Sequence, residues 1–164
     1  MTDAMTDQDA LAAQVIAAYR AVGLTIGTAE SCTGGLIAGA LTDVSGSSHV
    51  LDRGLVTYSN QAKQDLLGVR AETLAAHGAV SAETAGEMAA GVLARSPVDC
   101  AVAVTGIAGP GGGTATKPVG LVHFGAVRRG GPVALDHRVF PGDRAAVRRA
   151  TVRHALEMLL SLLR

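Results

Sequence analysis

The sequence predicts an α/β fold: a single domain built on a mixed, mostly parallel sheet of about five strands, with helices on both faces. Three observations predict it. Short apolar, β-branched runs alternate with segments of helical period early in the chain, and the last two runs lie either side of an Arg-Gly-Gly turn, as in a hairpin. The third is length: 164 residues without an internal repeat or a long linker fit one domain.

The first helix is expected over residues 7–21, with Leu11, Val15, Ile16 and Ala18 on its buried side and Gly23 ending it. Residues 24–29 read as a strand, followed by the polar break Glu30-Ser31-Cys32-Thr33. From Gly34 the pattern turns helical, with Leu36, Ile37, Ala40, Leu41 and Val44 on one face. A second strand is expected over 50–58. Asn60 is a candidate cap for a short helix carrying Lys63, Leu66 and Leu67, which Gly68 closes. Residues 72–76 form another short helix. Ser81 caps a helix that reaches Arg95, with Glu83 in its first turn. The strand at 100–105 opens into a Gly-rich loop at 106–113. Strands at 119–127 and 133–140 follow, and Pro141-Gly142-Asp143 starts the last helix.

Composition excludes several classes. Hydrophobic residues make up 48% of the chain but aromatics only 2%, so the core is aliphatic and offers little surface for stacking bases. Fourteen basic and fourteen acidic side chains cancel, which argues against nucleic acid as a partner. No apolar run reaches membrane-spanning length, and the acidic start lacks the pattern of a signal peptide. Two cysteines make no disulfide framework. A soluble, cytoplasmic protein with reduced thiols is the expectation, with residues 1–6 disordered.

Residues 28–35 join a strand to a helix. Such turns place side chains at the carboxyl edge of a sheet, where open α/β folds bind ligands, and exposed amides at a helix start hold anions. Ser31 there reads either as a nucleophile or, together with Thr33, as a plain helix cap. It lies in neither a Gly-x-Ser-x-Gly elbow nor a Ser-x-x-Lys motif. Lys63 falls near the start of a helix, whose positive end lowers an amine pKa as a general base requires. An ordinary solvated lysine is the alternative. Tyr58 is a candidate to relay a proton or orient Lys63, or simply half-buried packing. Cys32 is a lesser candidate nucleophile, since no histidine adjoins it.

The loop from Thr105 to Gly113 can cradle a phosphate or ribose through its amides, Gly106 and Gly109 among them, although it is neither a P-loop nor a dinucleotide fingerprint. Arg144 is a candidate phosphate clamp, whereas Arg148, Arg149 and Arg153 read as a solvated helix face. The five histidines lack metal-ligand spacing, so neither metal nor cofactor is expected.

Three blocks together carry a family resemblance: Ala29-Glu-Ser-Cys-Thr-Gly-Gly35, Val56-Thr-Tyr-Ser-Asn-Gln-Ala-Lys63, and Thr105-Gly-Ile-Ala-Gly-Pro-Gly-Gly-Gly113 with Lys117-Pro-Val-Gly120. His77-Gly-Ala-Val-Ser81 and Gly142-Asp-Arg144 add to it. In these the chain resembles, over nearly its whole length, the C-terminal domain of the competence/damage-inducible CinA proteins, also found alone as nicotinamide-nucleotide amidase. The resemblance implies a three-layer α/β/α sandwich and deamidation of nicotinamide mononucleotide to nicotinate mononucleotide and ammonia, within pyridine-nucleotide salvage. It assigns the nucleophile to Ser31, the base to Lys63 and a tyrosine to Tyr58, and it makes a homodimer plausible. Gln61 stands where the family often has Glu. Two-domain relatives carry an N-terminal domain resembling molybdopterin-binding folds, with a pyrophosphatase activity not expected here.

The expected mechanism is covalent, with an oxyanion held by amides around Thr33, Gly34 and Gly35, and the ribose phosphate held by Gly106, Gly109 and Arg144. The rival expectation is a non-catalytic nucleotide-binding module tied to competence or DNA damage. An amidase for another small amide is the third.

Overall fold

A computed structural model describes residues 5–164. The strands are β1 (Ile26–Glu30), β2 (Leu51–Val56), β3 (Cys100–Gly106), β4 (Leu121–Arg128) and β5 (Ala134–Val139), in the order β2-β1-β3-β4-β5. β1 pairs parallel with both β2 and β3, while β4 is antiparallel to β3 and β5 to β4. Four strands therefore run one way and β4 alone opposes them, a mixed and mostly parallel sheet.

Helices α1 (Asp7–Val22), α2 (Leu36–Thr42) and α6 (Arg144–Ser161) cover one face; α3 (Asn60–Leu67), α4 (Ala71–His77) and α5 (Ala82–Ala94) cover the other. Strand alternation divides the core accordingly. On β3, Cys100, Val102 and Val104 join Val15, Ile16, Ile37, Leu41, Val147 and Leu156 in the larger cluster. Ala101 and Ala103 point the other way, to Met88, Ala89 and Val92. The small side chains of this second face let α5 lie close. A Cβ on Gly125 of β4 would stand 2.6 Å from the carbonyl oxygen of Ala85, and one on Gly91 would stand 2.0 Å from that of Leu67. Close backbone approach thus supplies the packing that the few aromatics cannot.

The caps explain several boundaries. Thr6 caps α1 in a reciprocal capping box with Asp9, and left-handed Gly23 ends that helix. Residues 1–4 of the segment expected to be disordered lie outside the described residues. The buried stripe of α1 is Ala12, Val15, Ile16 and Tyr19, with Leu11 and Ala18 at its margin, because the Tyr19 hydroxyl donates to the Leu159 carbonyl of α6 at 2.7 Å. Ser59, not Asn60, caps α3: its side chain accepts from the Ala62 amide, and Asn60 is already helical. Ser81 and Asp143 cap α5 and α6 in the same way.

The parallel strands bring their carboxyl ends to one edge. After β1 the chain enters α2 on one face, and after β2 it enters α3 on the other. A crevice opens where such connections diverge. The segment following β3 closes the same edge.

Candidate active site

The crevice holds a pocket of about 290 Å³, whose lining includes Ser31, Cys32, Tyr58, Lys63, Thr105, residues 106–109 and 111–112 of the Gly-rich loop, and Arg144. Ala79 and Val80, from the connection between α4 and α5, complete one wall.

At its floor, Nζ of Lys63 lies 3.2 Å from Oγ of Ser31 and donates to the Thr57 carbonyl at 2.8 Å. Lys63 is 1% exposed and Ser31 9%. The backbone fixes this approach. The Ser31 amide donates to Val104 of β3 at 3.1 Å, and the Thr57 amide donates to the Glu30 carbonyl at 2.8 Å. The serine thus follows the end of β1, and the lysine comes from α3, the helix that follows the adjoining strand β2.

Burial lowers the Lys63 pKa from its ordinary value, against a smaller opposing influence of Cys32. Among the described residues no Asp or Glu forms an ion pair with it. Burial is the principal cause of the depression, and Lys63 also stands in the first turn of α3. A neutral amine in this place keeps an N–H for Thr57 and offers its lone pair to the Ser31 hydroxyl, the arrangement a general base requires. Burial pushes the neighbouring Cys32 thiol up to about 11, far from a thiolate at neutral pH.

Several predicted residues take other places. Tyr58 lines the pocket but is 63% exposed, and its hydroxyl accepts from Nη2 of Arg144 at 3.1 Å; Lys63 instead contacts Ser31 and Thr57. Arg144 also donates to the Gly109 carbonyl at 2.9 Å, so it bridges two sides of the mouth. Gly106 and Gly109 line the pocket as expected of the Gly-rich loop, and Gly109 has φ of 84°. No described backbone carbonyl accepts from the amides of Ala108, Gly109, Gly111 or Gly112.

Thr33, Gly34 and Gly35, the expected oxyanion cradle, are not among the residues that line this pocket. The reason is local. The Gly34 amide closes the turn onto the Ser31 carbonyl at 3.0 Å, and the Thr33 hydroxyl donates to Glu30.

Sequence reasoning missed two residues here. Glu30, read as part of a polar break, ends β1 fully buried. Its carboxyl accepts from the Thr33 hydroxyl at 2.5 Å and from the first α2 amides, Ile37 at 2.8 Å and Ala38 at 3.0 Å. Its place seven residues before Ile37 hid this cap, because the usual signal is a side chain immediately before the helix. Arg148, assigned to a solvated face, instead donates to the carbonyls of Cys32 at 3.1 Å and Thr33 at 3.2 Å. Arg149 is exposed, and Arg153 pairs with Glu157 at 3.2 Å.

Among the described residues no group of three or more His, Cys, Asp or Glu side chains is placed to hold a metal ion. No described helix is long and apolar enough to cross a membrane.

The family model of the CinA C-terminal domain matches residues 8–163. The chain is 50% identical over 157 residues to the nicotinamide-nucleotide amidohydrolase PncC of Escherichia coli K12, covering 94% of this chain and 95% of that one. A CinA-like protein of Mycolicibacterium gilvum is 51% identical over 154 residues, which are 94% of this chain and 36% of the longer relative. The crystal structure of a competence/damage-inducible protein from Agrobacterium tumefaciens superposes with a TM-score of 0.95 at 55% identity, covering both chains fully.

Proposed function

The chain belongs to the CinA C-terminal domain family, and from that membership and the Ser31–Lys63 contact we propose that it is an amidohydrolase that deamidates nicotinamide mononucleotide to nicotinate mononucleotide and ammonia. The observation that carries the reading is the 3.2 Å approach of a buried, charge-depressed amine to the Ser31 hydroxyl.

In the proposed reaction neutral Lys63 takes the Ser31 proton as Oγ bonds to the carboxamide carbon. The oxyanion is held by the amide of Cys32, the residue after the nucleophile, and by amides of the Gly-rich loop, since those of Thr33 to Gly35 lie outside the pocket. Collapse breaks the C–N bond, and Lys63 passes its proton to the departing nitrogen, which leaves as ammonia. Water then attacks the nicotinoyl ester, giving its proton to Lys63, and the proton returns to Oγ as the acid is released. Arg144 and the amides of Gly106 and Gly109 take the ribose phosphate. Tyr58 sets the position of Arg144 rather than moving a proton, because its hydroxyl faces that guanidinium.

The reading carries with it a cytoplasmic location, in keeping with the free thiols of Cys32 and Cys100. It also carries a homodimeric assembly and a place in pyridine-nucleotide salvage, with no nucleic-acid partner.

Ammonia release from nicotinamide mononucleotide, the riboside and free nicotinamide tests it. The phosphorylated substrate should be preferred, and Ser31→Ala and Lys63→Ala should each lose activity. A purified protein that releases no ammonia would instead be a nucleotide-binding module. Preference for a substrate without phosphate would point to another small amide.

A further inference from the structure

We infer that Arg148 is a positioning residue for the nucleophile, holding the peptide planes that close the Ser31 turn. The inference rests on Ser31 being that nucleophile.

The turn after β1 contains few side chains able to fix it: Ser31, Cys32 and Thr33 precede two glycines with φ of 57° and 105°. Glycine at such angles is freely adopted and also freely lost, so the backbone needs partners to stay in one state. Glu30 grips the first amides of α2. Arg148, in the second turn of α6, supplies the opposite grip: its Nε donates to the Cys32 carbonyl and its Nη2 to that of Thr33.

One peptide plane joins this grip to the serine. A trans peptide points its C=O and N–H in opposite directions. In the unit between Thr33 and Gly34, the carbonyl accepts from Arg148 at 3.2 Å and from the Leu36 amide at 3.1 Å, while the N–H donates to the Ser31 carbonyl at 3.0 Å. Turning that carbonyl away from Arg148 turns the N–H away from Ser31. The guanidinium also lies against Gly34, where a built Cβ would be 3.6 Å from Nη2. A fork with several fixed donors suits this task better than an ammonium, which offers a single point. Arg144, which bridges the pocket mouth, stands one helical turn earlier on α6, so one helix carries both contacts.

The test is steady-state ammonia release from nicotinamide mononucleotide by Arg148→Met, Arg148→Lys and Arg148→Ala, with melting curves and with Ser31→Ala as reference. Arg148→Met should lose about 100-fold in kcat, the scale of a nucleophile displaced by about 1 Å. Its KM should stay within about twofold, since ground-state binding is untouched. The pH at which Lys63 titrates should not move. Arg148→Lys should fall between, and added guanidinium should restore part of the Arg148→Ala rate. Wild-type kcat in a folded Arg148→Met would overturn the inference. If that variant does not fold, wild-type kcat in Arg148→Lys overturns it. A Ser31→Ala protein with wild-type turnover would instead remove the nucleophile assignment beneath it.

Discussion

Replacing Glu30 tests how the Ser31 turn is held. Its carboxyl is buried and satisfies two backbone donors, Ile37 and Ala38, and the Thr33 hydroxyl. Glu30→Ala leaves these groups beneath packed side chains, where a partner removed from a buried donor costs about 1–3 kcal/mol. Because Ala38 is only half-buried, the sum is held to about 3–5 kcal/mol for the site. In urea denaturation the midpoint should fall at constant m, and Tm should fall by roughly 10 °C for a domain of this size. Glu30→Gln keeps one acceptor oxygen but turns an NH₂ toward a backbone N–H, so about half of that loss is expected. Stability of Glu30→Ala within about 0.5 kcal/mol of wild type, the range of an ordinary surface change, would refute the reasoning.

Activity should rise with pH through the Lys63 titration, with that limb below the ordinary lysine value because burial favours the neutral amine. Stability follows the same sign. Between the folded and unfolded pKa the unfolded chain binds the extra proton, so wild-type Tm should rise with pH relative to Lys63→Met; parallel curves would contradict the burial effect. Cys32→Ala should retain activity, and iodoacetamide should label Cys32 slowly at neutral pH, given a thiol pushed up to about 11. Arg144→Ala should raise KM for the nucleotide by about 10–100-fold, the weight of a charged hydrogen bond, with little change for the riboside. Equal losses on both substrates would remove Arg144 from the phosphate.

The sequence exposes the alternation of strands and helices because each element has its own period and an evident start or stop, as at Ser81 for the one and Gly23 and Gly68 for the other. Ser31 was legible at a strand end and Lys63 at the start of the helix that follows the next strand, and parallel pairing of β1 with β2 brings them together. What escaped is what acts across sequence distance. Arg148 sits in a run of arginines whose pattern looks solvated, and only the docking of α6 beside the Ser31 turn turns it inward. Glu30 sits at the end of a strand, and its role becomes visible only once α2 folds back over it. The glycine stretch after Ser31 depends on the folded turn in a related way. The glycine amides after Ser31 suggest a cradle, but the folded turn directs the Gly34 amide at its own serine carbonyl.

The central claim is that Ser31, deprotonated by Lys63, is acylated during turnover. Acid quenching of enzyme mixed with excess nicotinamide mononucleotide, followed by peptide mapping by mass spectrometry, tests it most directly. The account predicts a nicotinoyl ester on the peptide carrying Ser31, absent from Ser31→Ala and converted to a hydroxamate when hydroxylamine is added. A nicotinoyl group mapped to Cys32, or full turnover with neither adduct nor hydroxamate, would contradict it.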